Sequence, residues 1–317
     1  MRVIVPPIKS QGIKTKLVPW IKALRPPVKG RWIEPFLGTG VVAFNSGMRQ
    51  ALLGDINPHL IRFYQGIQSG EITPGRVRAY LESEGKILGS APDNGYEHFR
   101  TVRARFNRDH DPLDFLFLSR TGFNGMIRFN RKGEWNIPFC KKPDRFAQAY
   151  VTKIVNQVKD VQSIIQPDWI FSTESFEKLI QQATADDFIY CDPPYLGRYV
   201  DYYNGWTEDD EQRLFVFLSA TPAKFILSTW HHNDFRPNLM IEKYWSKFNI
   251  VTRDHFYHVG GSEEHRNPMV EALVFNFPAN IRAHNYGIEP KPEQLMLLEE
   301  PAEYRTKKNL RKGKVKE

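Results

Sequence analysis

The chain has 317 residues, 41% of them hydrophobic and 13% aromatic, which is enough to bury a sizeable core and unlike a disordered composition. Two cysteines, Cys140 and Cys191, exclude a disulfide scaffold and a multi-cysteine zinc site. No apolar run approaches the roughly 20 residues of a membrane span, and no signal-peptide block opens the chain, so a soluble, cytoplasmic protein is expected. The net charge of +8 is uneven: residues 303–317 carry +5 and residues 100–145 carry +6, a distribution suited to a polyanionic partner.

In chain order, residues 31–36 read as a short buried strand. Leu37-Gly38-Thr39-Gly40 is the turn after it, and Val41 to Ser46 starts a helix. Residues 51–55 form a second strand. Asn57-Pro58 then supplies an N-cap with proline at the first helical position, opening a helix through Tyr64. This is the first half of a nucleotide-binding α/β unit. From 70 to 167 the strand signal fades, and helices are expected over 74–88, 96–107, 112–120 and 144–165. Between the last two, alternating arms over 122–139 flank Arg131-Lys132-Gly133 and predict a β-hairpin with a basic tip. Short β-rich runs return at 169–172, 188–191, 225–228, 250–253 and 270–277, alternating with helices near 175–182 and 208–218.

The pattern predicts one α/β sheet interrupted by a mostly helical insertion. The expected division is 1–68 and 168–280 for the sheet domain, 69–167 for the insertion, and 281–317 for a basic, peripheral tail.

Asp192-Pro193-Pro194-Tyr195 follows an apolar strand and so belongs at the carboxyl edge of the sheet, where α/β proteins bind ligands. The prolines fix the backbone and present carbonyls without N–H groups. A carboxylate before them and an aromatic ring after them can accept two N–H bonds from an exocyclic amine and stack a flat base. In the loop after the first strand, Gly38 and Gly40 let a ligand approach the backbone, and the acidic Asp55 beyond the next strand suits ribose hydroxyls. Ala43 stands where a dinucleotide-binding loop has its third glycine, which favours an adenosyl cofactor without phosphates over a pyrophosphate. His255, His258 and His265 lack the carboxylate or cysteine spacing of a ligand set, so no metal is expected. His231-His232 reads as polar loop.

The order of cofactor loop, insertion and Asp-Pro-Pro-Tyr resembles the Dam-type (D12 class, alpha-group) DNA adenine-N6 methyltransferases, from about Pro6 to Phe277. Lys9-Ser10-Gln11-Gly12-Ile13-Lys14 is similar to the family's K-W-x-G-G-K motif, departing at Ser10 and Ile13. Glu34 to Gly40 is similar to E-P-F-x-G-x-G, and Asp55-Ile56-Asn57 to D-x-N. Ser175-Phe176 departs from the family's Asp-Phe, while Asn204-Gly205-Trp206-Thr207-Glu208 and Leu227-Ser228 fit.

The resemblance implies a Rossmann-like S-adenosylmethionine-dependent methyltransferase sheet with an inserted, mostly helical target-recognition domain carrying a β-hairpin. It implies S-adenosyl-L-methionine held by Gly12, Lys14, Glu34, Phe36, Gly38, Gly40, Asp55 and Asp192, and chemistry at Asp192, Pro193, Pro194 and Tyr195. Double-stranded DNA is the implied partner, contacted by Lys9, Asn124, Arg128, Phe129, Asn130, Arg131 and Lys132, with Phe129 either a wedge into the stack left by a flipped adenine or packed under the hairpin. It further implies a monomer without membrane association and a restriction-modification setting with a cognate restriction endonuclease as functional partner, although such enzymes also occur alone. Methylation of cytosine N4 or of an RNA base, and a DNA-binding relative without catalysis, stay open as alternatives.

Overall fold

The computed structural model describes residues 2–196, 205–256 and 268–278. Among them, strands β1 (Trp32–Glu34), β2 (Ala51–Gly54), β3 (Ile170–Ser172), β4 (Phe188–Cys191), β5 (Lys224–Asn233), β6 (Asn249–Phe256) and β7 (Pro268–Phe275) form one sheet. Its order is β3-β2-β1-β4-β5-β7-β6. The first five are parallel, and β7 runs antiparallel to both β5 and β6. The Rossmann-like sheet expected from the sequence is therefore present. Every residue of β1, β2 and β4 is buried, as a parallel sheet covered on both faces requires.

Alternation along the strands sorts these residues into two cores. Ile33, Leu52, Ile189, Cys191 and Leu227 face α7 (Phe176–Gln181) and α8 (Glu208–Ala220). Trp32, Leu53, Phe188, Tyr190 and Ile226 face the other way. On that side lie α1 (Val18–Leu24), α2 (Pro58–Ser69), α3 (Pro74–Ser90), α4 (Tyr96–Asp109), α5 (Pro112–Thr121) and α6 (Gln148–Gln162). The helices of the inserted segment share one continuous apolar core with this face: Val77, Phe99, Phe117 and Val151 belong to the same cluster as Trp32 and Leu53.

Local chemistry sets the helix ends. Asn57 accepts from the His59 N–H at 3.0 Å ahead of Pro58, and Gly70 closes α2 at φ 79°. Asp111 accepts from the Leu113 and Asp114 N–H groups at the start of α5, and Thr207 and Asp210 form a reciprocal capping box at α8.

Several elements differ from expectation. After the glycine loop there is only a 3₁₀ turn, Ala43–Asn45. The Asn45 amide donates to the Val41 and Ile4 carbonyls and its oxygen accepts from the Ile4 N–H, and Gly47 turns the chain at φ 72°, so the helix does not propagate. Helix α1 carries too short a pattern beside Pro19 to be read from sequence. A π-helical turn over Ile241–Trp245 follows β5, which itself extends to Asn233. Helix α6 starts at Gln148, after a turn in which the Ala147 N–H donates to the Asp144 carbonyl. The 122–139 segment is an antiparallel ribbon rather than a regular hairpin ladder. Its arms meet at the Gly122↔Phe139 and Phe129↔Trp135 bridges, and a 3₁₀ turn over Phe123–Gly125 interrupts one arm.

Among the described residues no helix is long and apolar enough to cross a membrane, and no group of three or more His, Cys, Asp or Glu is placed to hold a metal. His258, His265, Asn204 and the 281–317 tail lie outside the described residues.

Candidate active site

The strand order reverses between β1 and β4, and at such a switch point the loops leaving the two strands part and open a crevice. Residues 35–40 leave β1 there and Asp192 to Tyr195 leave β4. Between them lies a cavity of about 330 Å³, lined by Gly12, Lys14, Glu34, Phe36, Gly38, Asp55, Asp192, Pro193, Pro194 and Tyr195. All ten were expected from the sequence. Gly40, the remaining expected cofactor residue, is not in the lining; its N–H donates to the Leu37 carbonyl at 2.7 Å and shapes the loop from behind.

The loop is wired to the next strand. The Leu37 N–H donates to the Gly54 carbonyl at 2.7 Å, and the Gly38 N–H donates to Asp55 Oδ2 at 2.8 Å. Asp55 Oδ1 accepts from the Asn57 N–H at 2.8 Å. Burial outweighs these bonds and pushes the Asp55 carboxyl up to about 6. Gly38 and Gly40 sit at φ 51° and 77°, the left-handed region that side chains resist. They differ in their surroundings: a Cβ on Gly38 would meet open space, whereas one on Gly40 would run into the Phe44 ring.

Lys14 is placed by α1, whose first turn donates the Leu17 and Val18 N–H groups to the Lys14 carbonyl. Its Nζ lies 2.9 Å from Asp192 Oδ1 and 4.9 Å from the centroid of the Tyr195 ring. Burial raises the Asp192 carboxyl to about 6 even though Lys14 opposes the shift, and the Glu271 carboxylate adds to the rise. Glu34 is buried beneath them, accepting from Trp32 Nε1 at 2.7 Å, and burial raises its carboxyl well above the usual range.

The opposite wall is aromatic. Phe36 stacks on Phe176 at 5.4 Å between centroids, and Trp206 meets Phe36 edge-on at 5.5 Å. Trp206 is held in turn by Glu211, whose two oxygens accept from the indole N–H groups of Trp206 and Trp245, both at 2.7 Å. Carboxylates outnumber cations along the lining. Lys14 is paired with Asp192, and Arg213 with Glu177 and Asp210. Such a cavity suits a cationic or neutral ligand with hydroxyls better than one carrying phosphates.

The expected DNA residues lie outside the cavity, with Ile127 as the ribbon's contribution to its lining. Arg131, Lys132, Asn124 and Asn130 are exposed. Asn130 is committed to the turn: its Oδ1 accepts from the Lys132 and Glu134 N–H groups, and its Nδ2 donates to Glu134 Oε2 at 2.8 Å. Arg128 is half-buried and donates across the ribbon to the Asn136 carbonyl at 3.2 Å. The stem of Lys9 lies over Gly125, and burial beside Arg145 and Arg120 lowers its ammonium pKa.

Phe129, expected as a wedge, is instead 8% exposed, stacked on His59 at 5.0 Å and edge-on to Trp135 at 5.7 Å. The ribbon's alternation turns Phe129 and Trp135 inward onto α4, where Asn107 Oδ1 accepts from the Trp135 backbone N–H at 2.8 Å. The exposed aromatic of this region is Phe123, at 50%, beside Asn124 at φ 52°.

Sequence reasoning also missed Trp206 and Glu211 as a unit, because their pairing is a tertiary contact. Glu271 was missed as well, although a single carboxylate in an otherwise apolar strand was a usable signal.

A family model described as D12 class N6 adenine-specific DNA methyltransferase matches residues 10–259. The chain is 32% identical over 195 residues to a DNA adenine methylase of Haemophilus influenzae, covering 60% of this chain and 63% of that protein, just under two thirds of its length. It is 32% identical over 219 residues to a DNA adenine methylase of Vibrio cholerae, covering 65% and 73%. It is 26% identical over 305 residues to the type II methyltransferase M.MjaIII of Methanocaldococcus jannaschii, covering 86% and 99%.

Proposed function

We propose, because this chain belongs to the D12 class of N6 adenine-specific DNA methyltransferases, that it methylates adenine N6 at a specific site in double-stranded DNA, using S-adenosyl-L-methionine and a flipped target base. The observation that carries this reading is the junction of the Asp192–Lys14 pair and Tyr195 with a phosphate-averse cavity at the switch point. The cofactor fits the residues present: Asp55 and the open space over Gly38 suit ribose, Phe36, Phe176 and Trp206 give a flat apolar wall, and the surplus of carboxylates suits a sulfonium. When bound, S-adenosyl-L-methionine supplies an electrophilic methyl group.

The chain's own residues prepare the acceptor. The N6 amine is a weak nucleophile because its lone pair is delocalised into the ring. Asp192 and the Pro193 carbonyl accept its two hydrogens, which favours a pyramidal nitrogen with the lone pair directed outward. Tyr195 stacks on the base, so orientation is a major part of the rate. The proton lost on methylation leaves to water, so Asp192 need not be a strong base. We assign the wedge to Phe123 in place of Phe129, on exposure. Arg128, Arg131 and Lys132 are the DNA contacts, with Asn124 and Lys9 beside them. We also propose a monomer in a restriction-modification setting, with residues 69–167 as the target-recognition segment.

The test is methyl transfer from labelled S-adenosyl-L-methionine into genomic DNA, followed by nucleoside mass analysis. N6-methyladenine is the expected product; N4-methylcytosine, or label confined to RNA, overturns the assignment. The pH dependence follows from Asp192. Once protonated, its carboxyl donates one hydrogen instead of accepting, so kcat/KM holds above about 6 and falls as pH drops through that value. A flat profile from pH 8 to 5 would remove Asp192 from the reaction.

The two glycines separate cofactor binding from stability. Gly40→Ala meets both strain and the Phe44 ring and is expected to lower unfolding stability by about 2–4 kcal/mol. Gly38→Ala costs about 1 kcal/mol of backbone strain, but its methyl enters the cavity, so cofactor affinity falls more than stability. Urea titration and calorimetric binding of S-adenosyl-L-methionine measure the two effects.

A further inference from the structure

Strand β7 crosses the sheet between β5 and β6, and Glu271 is the one carboxylate in Pro268–Phe275. It is 0% exposed. By alternation it faces the same side as Leu273 and Phe275, the side of Glu34 and Tyr190. A carboxylate held this deep is costly unless it is bonded, and Glu271 Oε2 accepts from the Tyr195 hydroxyl at 2.7 Å. Tyr195 is thereby fixed at three points. Pro193 and Pro194 restrict the backbone before it, Lys14 Nζ sits 4.9 Å from its ring centroid, and Glu271 anchors its hydroxyl. Loss of the anchor removes the restraint on the hydroxyl end of the ring, which sets its plane.

We propose that Glu271 is a positioning residue for methyl transfer, orienting the plane of Tyr195 so that the extruded adenine stacks with N6 at Asp192. The inference rests on the methyltransferase reading above. It also explains why a buried carboxyl group is kept in a strand that apolar residues would otherwise fill. Among the described residues, the charged and titratable groups near this pair include Lys14 from the N-terminal segment, Glu34 from β1, Tyr190 and Asp192 from β4 and its loop, and Arg253 opposite on β6.

Glu271→Gln keeps an acceptor for the tyrosine hydroxyl and removes the charge, whereas Glu271→Ala removes both. Turnover on duplex DNA is expected to fall about tenfold or more in Glu271→Ala with little change in KM for S-adenosyl-L-methionine, and to recover most of that loss in Glu271→Gln. In Glu271→Gln the acid limb of the pH profile moves to lower pH, because a like charge that holds the Asp192 carboxyl up has been removed. Tyr195→Phe, which keeps the ring and deletes the anchor, should lose a similar amount, and Tyr195→Phe with Glu271→Ala should lose little more than either alone.

Fluorescence of 2-aminopurine at the target position reads stacking directly: extruded base in Glu271→Ala stays bright where the wild type quenches it against Tyr195. Equal turnover in wild type and Glu271→Ala, or additive losses in the double variant, overturns the inference. A Glu271→Ala chain that melts below the assay temperature leaves the decision to Tyr195→Phe and Glu271→Gln. A wild-type chain that transfers no methyl to DNA would overturn the parent reading, and the Glu271 assignment with it, whereas wild-type transfer with unaffected variants would overturn the Glu271 assignment alone.

Discussion

Asp192→Ala is expected to reduce methyl transfer by at least about 10³-fold while leaving duplex binding near normal, measured by single-turnover kinetics beside fluorescence anisotropy. The side chain leaves β4 at the switch point, where the cavity and Tyr195 meet, and among the described residues the neighbouring carboxylates are engaged elsewhere: Glu34 accepts from Trp32 Nε1, Asp55 is tied to two backbone N–H groups and Glu271 accepts from the Tyr195 hydroxyl. Losing Asp192 also takes the ion-pair partner from the Lys14 ammonium, whose side chain is 7% exposed, so the melting temperature should fall as well. Asp192→Asn separates the two effects. It keeps an oxygen for one amine hydrogen and removes the charge, so activity should fall between those of wild type and alanine. Near-normal turnover in the alanine variant would mean that the amine is prepared elsewhere.

Arg128→Ala should cost about 1–3 kcal/mol of discrimination between the cognate site and a site altered at one base pair. Arg131→Ala and Lys132→Ala should weaken binding to any sequence and flatten its salt dependence, by about 0.9 in the log–log slope for each phosphate that is no longer neutralised. The difference comes from how the ribbon holds them. Arg128 is half-buried and spans the arms through the Asn136 carbonyl, so its guanidinium is pre-ordered, as bidentate reading of a base requires. Arg131 and Lys132 stand exposed at the tip, on a turn closed by Asn130, and suit the phosphate backbone. Binding by titration at several salt concentrations, with cognate and altered duplexes, distinguishes the two classes. If Arg128→Ala lowers both duplexes equally, the side chain sits on phosphate.

Much of this was legible from sequence for a physical reason. Short buried strands followed by loops that need glycine, proline or an N-cap leave local marks, and the switch-point motifs fell at strand ends where those marks are clearest. Residues 38, 55 and 192 reach one cavity because β1, β2 and β4 are neighbours, and that adjacency followed from reading the fold correctly. What failed was decided at a distance. The helix after Gly40 gave way to Asn45, which binds the N-terminal segment at Ile4. Phe129 was expected as a wedge because an alternating arm does not reveal which face meets α4. The Trp206–Glu211–Trp245 clamp joins residues 34 positions apart at one end, and no local pattern announces it.

The continuous apolar core between the sheet face and the inserted helices has an evolutionary meaning. A segment that rests on its own core can be exchanged like a cartridge, but here Phe99, Phe117 and Val151 pack in the same cluster as Trp32, so removing the proposed recognition segment would expose the apolar surface that it shares with the sheet side of the molecule. New target preferences in this lineage would then be reached by replacing side chains on the outer ribbon, over residues 124–132, while the helices beneath it stay fixed. Chimeras made by swapping whole segments between relatives should fail to fold, whereas grafts confined to the ribbon tip should fold and change the site that is read.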